Sequence, residues 1–308
     1  MNPGIEFLKR FFTFRAFTPD PQNPNIPLLK RLGKEKIALM SIGPCGLKMG
    51  SFTKNGGIQD IEVFPMRLQD DTQDIPIVSA LVKKTDCGLV ALTTGWKFGL
   101  AVETNKFKNE VELNIELGST PANVLGQKFQ PDKRYMGLIT PDEKQSVIMD
   151  VEEDAIQNIE DMLATYNIKV IRAQVGLASM LKLYFSNPEL IPDDEKTVPL
   201  LHDNGNVLAI LKNNGRTTIR LFAGVVDPRP DNAPVERATK LTERLTEILK
   251  NQRAGIPTEF AVMDSGLPKL EVVMAGFVAS SQATIKNLSW RPVEVPSGAF
   301  EFEGLLIN

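Results

Sequence analysis

Histidine and cysteine are scarce in this chain. His202 is the only histidine among 308 residues, and Cys45 and Cys87 are the only cysteines. One imidazole cannot build a His-rich zinc site. The cysteines lie 42 residues apart, so there is no Cys-x-x-Cys pair. A Ser-His-Asp or Cys-His triad would have to use His202, which sits in the turn-rich stretch His202-Asp-Asn-Gly205 with no catalytic partner nearby. His202 therefore reads as an exposed or hydrogen-bonded turn residue, and both cysteines read as small buried apolar groups. Long apolar runs are also missing: none approaches 18 residues, so no transmembrane helix is expected. Few cysteines and no recognisable signal peptide point to a reducing cytoplasm. Nor is there an excess of positive charge. Lys and Arg number 35 against 38 Asp and Glu, for a net charge of −3. That balance argues against nucleic acid as a partner. What remains is ordinary globular material, 42% hydrophobic and 24% charged, with a length that suggests about two domains.

Residues 1–35 read as an aromatic, Pro-rich tail. Phe7, Phe11 and Phe14 fall at i, i+4 and i+7, one face of a short helix, with Lys9, Arg10 and Arg15 among them. Pro19, Pro21, Pro24 and Pro27 then favour an extended chain. The segment is either a membrane-surface or partner-docking element or a tail packed on its own domain.

From Lys36 onward the pattern is that of a mixed α/β chain. Ile37–Ile42, Leu47–Thr53 and Ile58–Phe64 read as three strands, with Asn55-Gly56-Gly57 a hairpin signal. Ile77–Lys84 reads as a helix. Gly88–Thr94 reads as a buried strand, and Phe98–Thr104 as its continuation or its pairing partner across Gly95. Phe107–Leu117 is helix-compatible and stops at Gly118 and Pro121. Tyr135–Ile139 and Ser146–Val151 are further strands. In Glu152–Tyr166 the residues Ala155, Ile156, Ile159, Met162, Leu163 and Tyr166 trace one helical face, and acidic residues crowd the first turn. Ile168–Val175 is a strand and Leu177–Phe185 a helix. The charged loop 186–196 separates the halves. Three strands follow, Thr197–Leu201, Val207–Leu211 and Thr217–Phe222, joined by Asp203-Asn204-Gly205 and Asn213-Asn214-Gly215 turns. Val225–Ala233 is a loop, Val235–Asn251 a helix, Phe260–Met263 a short strand and Lys269–Phe277 a helix.

Each half opens with hairpin-linked strands and then alternates helix, strand and helix. That order is the duplicated ribonuclease-H-like arrangement of the actin and sugar-kinase superfamily. Within it the chain resembles the actin-like pilus-assembly family PilM and the cytoplasmic domain of the type II secretion protein L. The resemblance covers roughly residues 36–307. Ile37–Lys48 stands where that family has an Asp-Ile-Gly-Ser-x-x-x-Lys-like first phosphate loop. Leu200–Gly205 stands at its second Asp-x-Gly loop, Val262–Leu270 at its adenosine loop, and Gly298–Leu306 at its Ala-x-Gly-Leu-Ala ending.

The resemblance implies an actin-like ATPase fold in three parts: the tail 1–35, a first half 36–196 with an inserted subdomain at about 85–150, and a second half 197–308. It also implies a degenerate nucleotide site built from Ser41, Gly43, Lys48, Asp203, Gly205 and Gly266. Ser41 stands at the position of the metal-positioning Asp, and Pro44 removes one N–H donor. Lys48 is then a phosphate contact or an edge-strand charge, and Asp203 a metal ligand or a hairpin turn residue. ATP with Mg²⁺ is expected to bind weakly or not at all, and hydrolysis to be absent. The function implied is a cytoplasmic scaffold, peripheral to an inner membrane, that binds a short tail of a bitopic pilus or secretion protein. An active ATPase or sugar-kinase-like enzyme is the alternative. A ribonuclease-H-like nuclease ranks last, because the opening strand lacks its carboxylate.

Overall fold

Gly43-Pro44-Cys45-Gly46 and the turn at 54–56 cut one stretch of chain into three antiparallel strands, β1 (Ile37–Gly43), β2 (Gly46–Thr53) and β3 (Gly57–Phe64). Parallel neighbours require longer crossovers. Two such strands, β4 (Leu89–Thr94) and β8 (Lys169–Val175), extend the sheet on the far side of β1. The computed structural model describes residues 36–64, 86–95, 98–192, 194, 196–213, 216–223, 243, 258–266, 274–275, 278–279 and 288–307. The expected helices 77–84 and 235–251 (Glu243 apart), most of the helix 269–277, the loop 225–233, Asn214 and Gly215 of the expected second turn and the tail with Phe7, Phe11 and Phe14 lie outside those residues.

The second half repeats the plan. Strands β9 (Thr197–Asp203), β10 (Asn206–Asn213) and β11 (Arg216–Phe222) form a meander, and β12 (Glu259–Asp264) and β13 (Ser289–Pro292) add in parallel beyond β9. The sheet orders are β3-β2-β1-β4-β8 and β11-β10-β9-β12-β13. Counted within each sheet, both read third, second, first, fourth, fifth. This is the duplicated ribonuclease-H-like arrangement of an actin-like fold.

One expected pairing is corrected. Phe98–Thr104 forms β5 of a separate three-stranded sheet with β7 (Gln145–Glu152) and β6 (Lys133–Ile139), in the order β5-β7-β6. It does not continue or pair with β4, because both edges of β4 are taken by β1 and β8. The separate sheet thus begins at Phe98, and Leu89–Thr94 belongs to the first five-stranded sheet.

Helix α1 (Glu110–Ser119) starts three residues later than the apolar pattern suggested. Asn109 caps it by accepting from the Glu112 N–H at 2.9 Å, while Phe107 is held in a turn by Asn105. The short α2 (Pro121–Leu125) follows. In α3 (Glu153–Thr165) Ala155, Ile156, Ile159, Met162 and Leu163 are buried, as their spacing requires. Tyr166, assigned to the same face, lies just beyond the helix and is 38% exposed. Asn167 takes the left-handed conformation (φ 59°) and turns the chain into β8. Helix α4 (Gly176–Ser186) is buried along most of its length, in a core that contains apolar side chains of both five-stranded sheets. The last described helix, α5 (Phe300–Leu306), returns to the first sheet. Phe302 and Leu305 pack there with Ile37, Leu39 and Ala91.

Candidate functional site

In-register pairing sets four polar side chains in a row across the first sheet. Lys48 on β2 faces Ser41 on β1, Ser41 faces Thr93 on β4, and Thr93 faces Gln174 on β8. Directly opposed residues share a face. Ile37, Leu39 and Ser41 are two residues apart on β1 and share one face, so this is the face that α5 covers. The lid brings Glu301 down onto the row. Lys48 Nζ lies 2.7 Å from Glu301 Oε1, with the two side chains 3% and 0% exposed. The ammonium also lies 5.9 Å from the centre of the Phe302 ring. β2 is an interior strand, so Lys48 is not an edge charge. Ser41 Oγ, Thr93 Oγ1 and Gln174 Nε2 are buried with no hydrogen-bond partner among the described residues.

The second hairpin approaches the same place. Asp203 ends β9, and Asn204 (φ 49°) and Gly205 (φ 83°) form the two-residue turn into β10. Two successive positive φ angles mark the type I′ turn that Asn-Gly favours. Asp203 Oδ1 accepts from Asn204 Nδ2 at 3.0 Å. Its Oδ2 lies 2.1 Å from where a Cβ on Gly176 would be, so only glycine at the start of α4 leaves room for it. Burial and then the nearby Glu301 carboxylate push the Asp203 carboxyl up to about 6, against the pull of Ser265, His202 and Lys48.

The two hairpins touch at Asn204. Its side-chain atoms lie 2.5 Å from a Cβ position on Gly43 and 2.3 Å from one on Gly95. Asn204 Oδ1 accepts from the Cys45 N–H at 3.4 Å, and Asn206 Nδ2 donates to the Gly95 carbonyl at 3.1 Å.

His202 is corrected. It is hydrogen-bonded, as one of the two readings had it, but it is a wholly buried strand residue and neither exposed nor in the turn. Its Nδ1 lies 2.8 Å from Asp264 Oδ1, which also accepts from the Gly266 N–H at 2.8 Å. Among the described residues, Nε2 has no hydrogen-bond partner. The cause of the His202–Asp264 contact is register: Asp264 pairs with His202 across β12 and β9. Beside them lies a cavity of about 480 Å³, lined by Val262, Asp264, Trp290, Glu294, Pro296 and Phe300 among others. Gly266 has φ 79°, and no described atom lies within 4 Å of where its Cβ would stand.

The fold thus brings Ser41, Gly43, Lys48, Asp203 and Gly205 to the facing hairpins, with Gly266 at the end of β12. Cys45 and Cys87 are both buried. Sequence reasoning missed Glu301, Asn204 and Gly95 as members of the site. The Asn-Gly turn was legible, but what its side chain meets was not. Among the described residues, no group of three or more His, Cys, Asp or Glu side chains could hold a metal ion. No described helix is long and apolar enough to cross a membrane.

No protein-family model and no curated protein sequence matches the chain. Solved structures do resemble it. One is the cytoplasmic domain of EpsL, an inner-membrane component of the type II secretion system of Vibrio cholerae. The TM-score is 0.52 at 10% identity, over 89% of this chain and 96% of that one. A PilM–PilN type IV pilus biogenesis complex gives 0.55 at 11% identity, over 88% and 90%. A Bacteroides thetaiotaomicron protein of unknown function with an actin-like ATPase fold gives 0.52 at 10% identity, over 89% and 96%. At such identities the likeness establishes the actin-like fold.

Proposed function

We propose that the protein is an actin-like scaffold of a type IV pilus or type II secretion-like assembly platform. It works at the cytoplasmic side of an inner membrane and binds a short tail of a bitopic partner. Nucleotide binding in its cleft is weak or lost. The observation that carries this reading is the Lys48–Glu301 ion pair. A lysine that serves a phosphate needs its charge free, and here a buried carboxylate neutralises it. Ser41 adds to the case, since a hydroxyl replaces the metal-positioning carboxylate. These residues do not fit a magnesium-bound triphosphate, and no catalytic step is assigned to them. The likeness to the EpsL cytoplasmic domain and to the PilM–PilN complex supports a role beside a membrane machine. The aromatic tail, with Phe7, Phe11 and Phe14, is a second contact in this reading, to membrane or partner.

One observation favours the alternative of an ATP-dependent enzyme. Asp203 is retained, and among the described residues no donor reaches its buried Oδ2 in good hydrogen-bond geometry. Calorimetric titration with ATP and with ADP, each with Mg²⁺, separates the two. The scaffold predicts binding no tighter than millimolar, or none. Micromolar binding that disappears in Asp203→Ala would overturn it. Deleting residues 1–17 should abolish co-sedimentation with liposomes; unchanged co-sedimentation removes the membrane role of the tail.

A further inference from the structure

The two five-stranded sheets meet tip to tip, and the meeting point has a lock-like shape. Gly43 ends β1 and Gly95 directly follows β4, and β1 and β4 are adjacent parallel strands. The Gly95 N–H donates to the Ile42 carbonyl at 2.9 Å, which holds the two glycines side by side. Neither has a Cβ, so together they leave a notch one side chain deep. Asn204, 2% exposed, fills it from the opposite half. A side chain at either glycine would collide with the Asn204 Cβ or carboxamide at 2.3–2.9 Å.

The contact is polar as well as steric. The Asn204 carboxamide oxygen takes the Cys45 N–H, and its nitrogen is spent on Asp203. Asn206 ties the next position of the same hairpin to the Gly95 carbonyl. Backbone N–H groups at a glycine-containing hairpin tip are oxyanion donors when they face open space. Here the Cys45 donor faces the chain's own amide.

We infer that Asn204 is a built-in ligand of the first hairpin: it occupies the Gly43–Gly95 notch and latches the two halves closed with no nucleotide bound. The inference rests on the scaffold reading and deepens it, because a scaffold needs a fixed shape that does not depend on ligand. Any oxyanion entering the cleft would have to displace Asn204 from Cys45 and Glu301 from Lys48.

Amide hydrogen exchange on the full chain, without nucleotide or partner, tests this. Asn204→Gly deletes the carboxamide while a φ of 49° remains comfortable for glycine. Gly95→Ala pushes the tip out of the notch and leaves the turn sequence intact. Each should speed exchange in peptides covering 42–47, 93–95 and 203–207 by about tenfold, as loss of a local contact does. The sheet covering 133–151 should exchange as in the parent chain. Unchanged rates at the tips in Asn204→Gly would overturn the latch, and so would acceleration spread evenly over the chain. Should Gly95→Ala fail to fold, Asn204→Gly decides alone. Micromolar ATP binding by the parent chain would sink the scaffold reading, whereas unchanged exchange sinks the latch alone.

Discussion

Lys48 Nζ lies 2.7 Å from Glu301 Oε1, and the two residues come from opposite ends of the described chain, one on β2 and one on α5. Apart from this pair, neither Glu301 oxygen accepts a hydrogen bond of good geometry. Each charge therefore depends on the other. Glu301→Leu should cost about 3–5 kcal/mol, because it strands a buried ammonium. Lys48→Met with Glu301→Leu should recover most of that loss, since two apolar groups need no partner. Urea denaturation of the two singles and the double closes the cycle. Additive losses would show that the pair is not coupled.

Asp203 sets a pH dependence of definite sign. Its carboxyl is raised from the usual 3.8 to about 6, so the folded chain holds that proton more tightly than the unfolded chain. The contribution is fully present below about pH 4 and is lost as the pH rises through about 6. Asp203→Asn should then stabilise the protein at pH 7.5 by on the order of 2–3 kcal/mol. The gain should shrink to nothing near pH 4. Thermal melts of both proteins across that range give the difference curve, and a gain independent of pH would refute the assignment.

The crossing of α4 and α5 allows one residue type at Gly304. An added Cβ would stand 1.8 Å from the Ser179 carbonyl oxygen, a backbone atom that no rotamer change can move. Gly304→Ala should cost more than about 3 kcal/mol through forced separation of the helices. Denaturant unfolding measures it, and a loss under about 1 kcal/mol would mean that the crossing yields easily.

Arg134 is 1% exposed, and its guanidinium is held by Glu153 at the start of α3 and by Glu160 at 3.1 Å two turns on. The Glu153 contact uses both carboxylate oxygens. A point charge cannot reproduce that fork. Arg134→Lys should lose about 1–2 kcal/mol and Arg134→Ala more, because Glu160 is then half-buried without a cation. Equal stability of the Lys variant and the parent would show that charge alone matters.

Exchange rates at the hairpin tips supply the remaining test. Asn204→Gly should loosen 42–47 and 203–207 while leaving the β5-β7-β6 sheet untouched, for the reasons given with the latch.

Local chemistry made much of the fold readable. Asn55-Gly56-Gly57 and Asn204-Gly205 marked hairpins because few residues tolerate positive φ there. Ala155, Ile156, Ile159, Met162 and Leu163 marked α3 because their spacing matches one helical turn. The partner of Phe98–Thr104 was not readable. Which strand edges are free depends on where β8 lands, more than 60 residues later in the chain. The late start of α1 was missed because apolar Phe107 extended the pattern past the cap at Asn109.

By itself the sequence determined the element types, the repeated order of strands and the residues that face each other at the hairpins, since turn chemistry and periodicity act over a few residues. It also determined that Ser41 and Pro44 stand on either side of Gly43 in the first hairpin. Tertiary structure alone decided what those groups meet. Only the return of α5 places Glu301 on Lys48, and only the docking of two sheets puts Asn204 between Gly43 and Gly95. The burial of His202 and the raised proton affinity of Asp203 have the same origin. Burial and charge pairing are properties of neighbours in space, and in this chain those neighbours lie far apart along it.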